Sequence, residues 1–244
     1  MTIIRPAIFG PGDGVIAAMS TRNGGVSGPA LDLNISFRVG DDPENVRENR
    51  RRFFEVAGVA ASSVVLPGQE HTDVVRYCTG PSVQPSCDGL VTDGTSAVLG
   101  VTVADCTPVL LFDPRRRVIA AVHAGWRGTA AGIVRRALDM MAERWRCEPS
   151  ELKAFVGPSA GGCCYEVGTD VAARFPAECA VPKDGGKFLL DVKRTNVLQM
   201  LASGMQESHI EVHPDCTIHN ELYHSYRRDG LVSGRMAAVI GLIH

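Results

Sequence analysis

Apolar residues along this chain fall in short blocks rather than one long periodic pattern. Val15 to Ser20 reads as a strand, and Thr21-Arg22-Asn23-Gly24-Gly25 behind it supplies turn chemistry. The period then changes. Val46, Phe53, Phe54 and Ala57 share one helical face, with Asp42 placed as the cap, Pro43 at the first helical position and Gly58 beyond the end. Strand-like runs follow at Val64 to Leu66 and Val74 to Tyr77.

The centre holds three apolar runs rich in β-branched residues: Ala97 to Val103, Val109 to Phe112 and Val118 to Val122, with Asp113-Pro114 turning between the last two. Being continuous rather than alternating, they predict strands buried on both faces. Thr129 to Trp145 is helical in period, with Ile133, Ala137, Met140, Met141 and Trp145 on one side. Leu152 to Val156 reads as a strand, Asp191 to Ser203 as a helix, and Met236 to Ile243 as the last strand. Strands outnumber helices, so the pattern predicts a layered, mixed-sheet α/β (α+β) fold rather than a regular doubly wound one.

Composition narrows the function. A chain of 244 residues, 45% hydrophobic, can bury a sizeable core without disulfides or a structural metal. An ion here is therefore expected to serve chemistry. Net charge is −2, the runs Arg50 to Arg52 and Arg115 to Arg117 read as solvated faces, and aromatic residues are only 6%, which argues against a nucleic-acid partner. No apolar stretch is long enough to span a bilayer, and Met1 to Val15 has neither an h-region nor a cleavage site. The eight cysteines have no regular spacing and no CxxC, as expected of reduced thiols in a cytoplasmic protein. The pattern says nothing of oligomeric state.

Three segments place polar residues where the apolar runs stop: Gln69-Glu70-His71-Thr72-Asp73, Ala104-Asp105-Cys106-Thr107-Pro108 and His123-Ala124-Gly125-Trp126-Arg127-Gly128. Ends of neighbouring strands converge in space, where α/β enzymes put ligands and catalysts. Two readings stand side by side at this point. A lone His or Cys in an apolar run is a hydrogen-bonded core residue or a small buried hydrophobe. Alternatively His71, Cys106 and His123 form a Cys/His₂ zinc set with a fourth position open to water, and Asp105 and Asp88 orient a ligand or carry a proton.

Those segments resemble the signatures of the bacterial laccase-domain, or polyphenol-oxidase-like, family, whose members are viewed as multifunctional purine nucleoside enzymes. Further similar stretches are Ser20 to Ser27, Val39 to Pro43, Val156 to Ser159, Cys164 to Val167, Ser225 to Gly230 and Gly234 to Ala237. The resemblance implies a single-domain, four-layer α/β/β/α sandwich spanning residues 1–244 and one zinc per chain on His71, Cys106 and His123. It also implies phosphorolysis of adenosine, inosine, guanosine and methylthioadenosine, and hydrolytic deamination of adenosine, so that purine nucleosides and phosphate are the expected partners. Arg22, Arg127 and Arg228 stand in matching motifs and are candidates for the phosphate; Arg127 is the first choice because it opens a helix. Gln69 and Asp88 are expected at the substrate, and Cys106, Asp105 and Arg127 in catalysis.

Laccase activity and editing of a peptidoglycan precursor have also been linked to the family. A multicopper oxidase needs more His ligands than the seven in this chain, and no Met lies near the motifs to serve as the axial ligand of a blue-copper site, so copper is the weaker metal assignment. The runner-up is a hydrolase with Cys106 as nucleophile and His123 as base. A non-enzymatic metal-binding protein is the third reading. Position 224 is His where the family usually has an aromatic residue, and His224 and His219 are expected to be peripheral polar residues. Cys163 and Cys164 are adjacent, and such neighbours bridge only with strained geometry.

Overall fold

The start and stop signals of the first helix act where the sequence puts them. The Asp42 carboxylate accepts the Glu44 N–H at 2.8 Å, Pro43 begins the helix, and Gly58 ends it at φ +81°. Phe53 and Phe54 on its apolar face are buried, each contributing about 1.5–3 kcal/mol. The computed structural model describes residues 1–244 other than Pro11, Val83, Pro85 and His244.

In chain order the strands are β1 (Ile3–Ile4), β2 (Val15–Ser20), β3 (Val64–Val65), β4 (Val75–Tyr77), β5 (Gly89–Thr92), β6 (Val98–Val103) and β7 (Thr107–Asp113). They continue with β8 (Val118–Ala124), β9 (Lys153–Val156), β10 (Glu166–Val167), β11 (Ala180–Lys183), β12 (Lys187–Leu190), β13 (Ile210–Val212) and β14 (Met236–Leu242). The helices are α1 (Pro43–Ala57), α2 (Trp126–Ala130), α3 (Ile133–Trp145), α4 (Thr169–Ala172), α5 (Val192–Ala202) and α6 (Tyr226–Asp229).

Two mixed sheets, ordered β1-β2-β14-β6-β3 and β13-β9-β7-β8-β5-β4, carry the fold. Their facing sides share one core, in which Leu99, Val101, Ala238 and Ile240 meet Leu110, Phe112, Ile119 and Phe155. The alternate residues of the same strands point outward. Ala18, Val98 and Val239 pack under α1, while Val109, Leu111, Ala120 and Val122 pack under α3 and α5. The order of layers is therefore helix, sheet, sheet, helix, the α/β/β/α sandwich that the resemblance implied. Both faces of the central strands are buried, which is why they read as continuous apolar runs.

The helix expected over Thr129 to Trp145 is two helices. Gly132 sits at φ +81° and breaks the ladder between α2 and α3. A third, small sheet, β10-β12-β11, has no counterpart among the expected strands. Its hairpin exposes Val181 to Lys187, so no alternating burial marks it.

Register brings the chemistry to one end of the six-stranded sheet. In the antiparallel β7–β8 pair, Thr107 faces Ala124 and Pro108 faces His123, so Cys106 lies beside the end of β8. Gly89 faces Val122, which sets Asp88 next to His123, and parallel β4 beside β5 brings the His71 loop to the same edge.

Candidate metal centre and cleft

One nitrogen of His71, the sulfur of Cys106 and one nitrogen of His123 all lie within 4.8 Å of one another, with His71 Nε2 3.8 Å from Cys106 Sγ. A tetrahedral zinc with ligands at ~2.0–2.3 Å separates its donor atoms by roughly 3.3–3.8 Å, so small side-chain rotations close the set on an ion. Burial is graded: His123 is buried, Cys106 half-buried and His71 exposed, so the donor set opens on its His71 side. An open position is the mark of a catalytic rather than a structural site.

Asp88 holds this arrangement from behind. Its carboxylate accepts His123 Nδ1–H at 2.7 Å, the N–H groups of His71 at 3.0 Å and Thr72 at 2.7 Å, and the Thr72 hydroxyl at 2.7 Å. Bonding Nδ1 turns Nε2 of His123 toward Cys106, the outer carboxylate arrangement common to metal-bound histidines. Accepting the His71 N–H, Asp88 also supports that residue at φ +60°, a left-handed conformation a His does not adopt freely. Burial works against ionisation of Asp88, yet the bonds from His123 and Thr72 hold its carboxyl well below the usual range. Asp88 is fully buried and does not line the cleft, so the expected contact with substrate is replaced by a hold on the two histidines.

Cys106 and His123 favour each other's charged forms. Burial pushes the Cys106 thiol up, but the facing His123 and His71 rings outweigh it and bring it down to about 6. Burial likewise lowers His123, and Cys106 and Asp88 outweigh it and raise the ring to about 9. Deprotonated sulfur beside imidazole suits a soft or borderline cation.

The glycines of the His123-Ala124-Gly125-Trp126-Arg127-Gly128 segment have a steric reason. A Cβ on Gly125 would stand 3.1 Å from both Cys106 Sγ and His71 Cδ2, and one on Gly128 would stand 2.7 Å from the Thr72 carbonyl oxygen. The segment therefore packs directly on the ligand loops.

A cleft of about 760 Å³ opens over the three donors, within the range of small-molecule sites. Trp126, Tyr165 and Tyr226 give it aromatic faces, and Arg38, Arg127, Arg227 and Arg235 line it with positive charge. An adjoining groove of about 750 Å³ shares Arg38, Gln69 and Thr102 and runs toward α1, away from the donors.

The other expected residues divide. Arg127 lines the cleft, stacked 4.7 Å over the Trp126 ring, and no hydrogen bond or ion pair engages its guanidinium among the described residues. Its helix, α2, is only five residues long, so the side-chain charge rather than a helix terminus is what it offers an anion. Gln69 lines the cleft too, but its amide is paired with Thr102, donating to the carbonyl at 2.7 Å and accepting the N–H at 2.8 Å. Asp105 lies in the wall at φ +80°, with one oxygen taking the Thr217 hydroxyl at 2.6 Å and the other the Arg227 N–H at 2.6 Å.

Arg22 and Arg228 lie elsewhere. Arg22 donates to the Pro29 carbonyl at 3.0 Å beside a separate shallow pocket, and Arg228 is paired with Asp229 at 2.7 Å and donates to the Thr217 and Tyr223 carbonyls. Neither reaches the cleft. Arg227 takes the place expected of Arg228; of two adjacent arginines in one motif, the sequence carried no signal for which turns inward.

His224 is not peripheral. It is fully buried, and both ring nitrogens lack a hydrogen-bond partner among the described residues.

A family model described as multi-copper polyphenol oxidoreductase laccase matches residues 16–243, nearly the whole chain. The chain belongs to that family. Among curated relatives, a Geobacillus stearothermophilus protein named purine nucleoside phosphorylase YlmD is 36% identical over 95% of this chain and 91% of its own length. A Corynebacterium glutamicum protein also named purine nucleoside phosphorylase is 40% identical over 91% and 92%. The solved structure of YlmD from Geobacillus stearothermophilus superposes with a TM-score of 0.92 at 33% identity, covering 98% of this chain and 94% of that one. That YlmD structure thus shares the sandwich described above. Among the described residues, no helix is long and apolar enough to cross a membrane.

Proposed function

We propose that this protein is a purine nucleoside phosphorylase of the cytoplasm, with one zinc ion held by His71, Cys106 and His123. The carrying observation is that an aromatic, arginine-lined cleft opens onto three converging donors. The relatives' names support the nucleoside class. Zinc bound there would supply Lewis acidity at the floor of the cleft.

The chain's own residues would do the rest. Trp126, Tyr165 and Tyr226 offer faces for a flat purine. Arg127 holds the phosphate by charge-assisted hydrogen bonds, with Arg227 and Arg235 adding positive potential across the cleft. Asp105, fixed by Thr217 and Arg227, and Gln69, fixed by Thr102, position the Cys106 and His71 loops. Nucleoside and phosphate are thereby set against each other in a partly dry cleft. Hydrolytic deamination of adenosine belongs to the same reading, because the open side of the donor set also admits water. Inosine, guanosine and methylthioadenosine are the further substrates.

Chromatography of adenosine incubated with zinc-loaded protein tests it. Adenine should appear only with phosphate, and inosine without it. Arg127→Ala should raise the phosphate KM about 10- to 100-fold, the ~1.5–3 kcal/mol of one charged hydrogen bond, with the nucleoside KM little changed. An unchanged phosphate KM sinks the assignment of Arg127.

A second reading has its own observation: Asp88, His123 and Cys106 stand in the order acid, base, thiolate of a cysteine hydrolase acting on a peptide or amide, such as a cell-wall precursor. In such a triad His71 only helps to lower the Cys106 thiol and binds no ion. Loss of stoichiometric zinc in both His71→Ala and Cys106→Ala favours ligation. Full activity in metal-free protein, abolished by iodoacetamide, favours the triad.

A further inference from the structure

A second cluster of donors lies outside the cleft lining. Strands β9 and β13 run parallel, Ile210 beside Ala154 through Val212 beside Val156, so the loops leaving their ends travel together. A bridge between Ser159 and Cys216, with the Thr217 N–H donating to the Ser159 carbonyl at 3.1 Å, carries the pairing onward. That brings Cys163, Cys164, Cys216 and His219 to one place. A donor atom from each lies within 4.8 Å of every other. Cys163 Sγ is 3.3 Å from Cys164 Sγ, and His219 Nδ1 is 3.6 Å from the first sulfur and 3.3 Å from the second.

We propose that these four residues form a second, closed metal site for a thiophilic cation, with zinc the ion that a Cys₃His set favours. The spacing is near that of a tetrahedron: around zinc, sulfur–nitrogen and sulfur–sulfur pairs lie roughly 3.5–3.8 Å apart, so the two adjacent sulfurs need to open by only a few tenths of an ångström. At Cys216 the surroundings suit thiolate, and at Cys164 the cation itself must displace the thiol proton. The Gly161 N–H donates to Cys216 Sγ at 3.2 Å, and the Lys193 ammonium, bonded to the Asp215 carbonyl at 2.8 Å, brings positive charge to the same loop. Gly161 also leaves room, since a Cβ there would stand 3.4 Å from Cys163 Sγ. Cys216 is buried whereas Cys163 and His219 are exposed, which gives the ion an entry side. Binding is ligand exchange without redox change: water leaves the cation and thiol protons pass to solvent.

Four protein donors leave no position for substrate, so this ion clamps structure. Tyr165 follows Cys164 into the cleft wall, and Thr217 follows Cys216 and donates to Asp105. The ion would therefore tie together the two loops that shape one side of the cleft.

The test is metal counting by mass spectrometry on protein purified under reducing conditions, loaded with Zn²⁺ and desalted. Wild type should hold two equivalents, His219→Ala and Cys163→Ser one each, Cys106→Ala one, and Cys106→Ala/His219→Ala none. His219 and Cys163 are exposed, so their variants should keep the fold even if Cys216→Ser does not. His219→Ala should also lower the thermal midpoint in zinc but not in excess chelator, a readout independent of activity. A single equivalent that Cys106→Ala abolishes overturns the proposal, as does a Cys163–Cys164 or Cys164–Cys216 disulfide in the reduced-purified protein. Because each cluster loses its ion to its own variants, failure of the cleft assignment leaves this result readable.

Discussion

At the scale of single residues, the site depends on groups whose work is to hold others. Asp88 is the strongest case, since one carboxylate fixes the His123 ring and the backbone of the His71 loop. Asp88→Asn keeps the volume but turns an amide donor toward groups that already donate. Zinc affinity in a competition titration should fall about 10- to 100-fold, as when other outer partners of metal histidines are lost. An affinity within twofold of wild type would mean that Asp88 does not orient the ligands. His224 shows the opposite situation, a buried polar ring with no hydrogen-bond partner among the described residues. Burial, aided by Arg22 and Arg235 and opposed by Asp229, lowers its pKa to about 3, whereas a His in the unfolded chain titrates near ~6.5. Between those values the unfolded state binds the proton and the folded state does not, so this group's contribution weakens as pH falls from about 6.5 toward 3. His224→Phe removes two unpaired buried nitrogens and should add about 1–3 kcal/mol at pH 7. In urea titrations its advantage should grow at about pH 4.5; an equal difference at both pH values would refute the titration.

At the scale of elements, legibility followed burial. Strands β6, β7, β8 and β14, buried on both faces, stood out as continuous apolar runs, and α1 announced both its ends through Asp42, Pro43 and Gly58. The placement of His71, Cys106 and His123 at element ends was legible for the same reason, because polar residues interrupted apolar runs. What escaped was structure held by exposed or distant contacts. The β11–β12 hairpin buries little, although its Asp184-Gly185-Gly186 turn, with both glycines at positive φ, was a usable signal. The inward turn of Arg227 rather than Arg228, and the joining of Cys163 to His219, depend on how loops from β9 and β13 and helix α6 lie together, which no local period encodes. The break at Gly132 was likewise hidden within one apolar face. It leaves α2 a separate turn packed on the His71 loop, and that has a testable consequence. Gly128→Ala would push a methyl group to 2.7 Å from the Thr72 carbonyl and must displace α2 or the loop. Nucleoside turnover and zinc affinity should fall together, about tenfold or more, with far-UV circular dichroism unchanged. Loss of turnover at full zinc affinity would place the effect in the cleft wall instead.

At the scale of the whole molecule, the sandwich and the cleft centre are energetically separable. The core between the sheets is built from residues such as Leu99, Leu110, Phe112, Phe155 and Ile240, all fully buried, and the layers beneath the helices are equally apolar. The cleft donors sit at the end of the six-stranded sheet, with Cys106 only bordering the core, so the core does not wait on an ion there. Metal at the cleft then stabilises only by mass action, about 2.7 kcal/mol when free ion stands at a hundred times its Kd. For a chain of this size each kcal/mol moves the midpoint by roughly 2–4 °C. Cys106→Ala should therefore keep a cooperative thermal transition within about 10 °C of zinc-loaded wild type, while turnover falls to background. A collapse to a non-cooperative transition would show that the ion belongs to the folding nucleus of the sheet end. The cleft would then have to be read as a structural centre, and the case for an open catalytic position over His71 would fall with it.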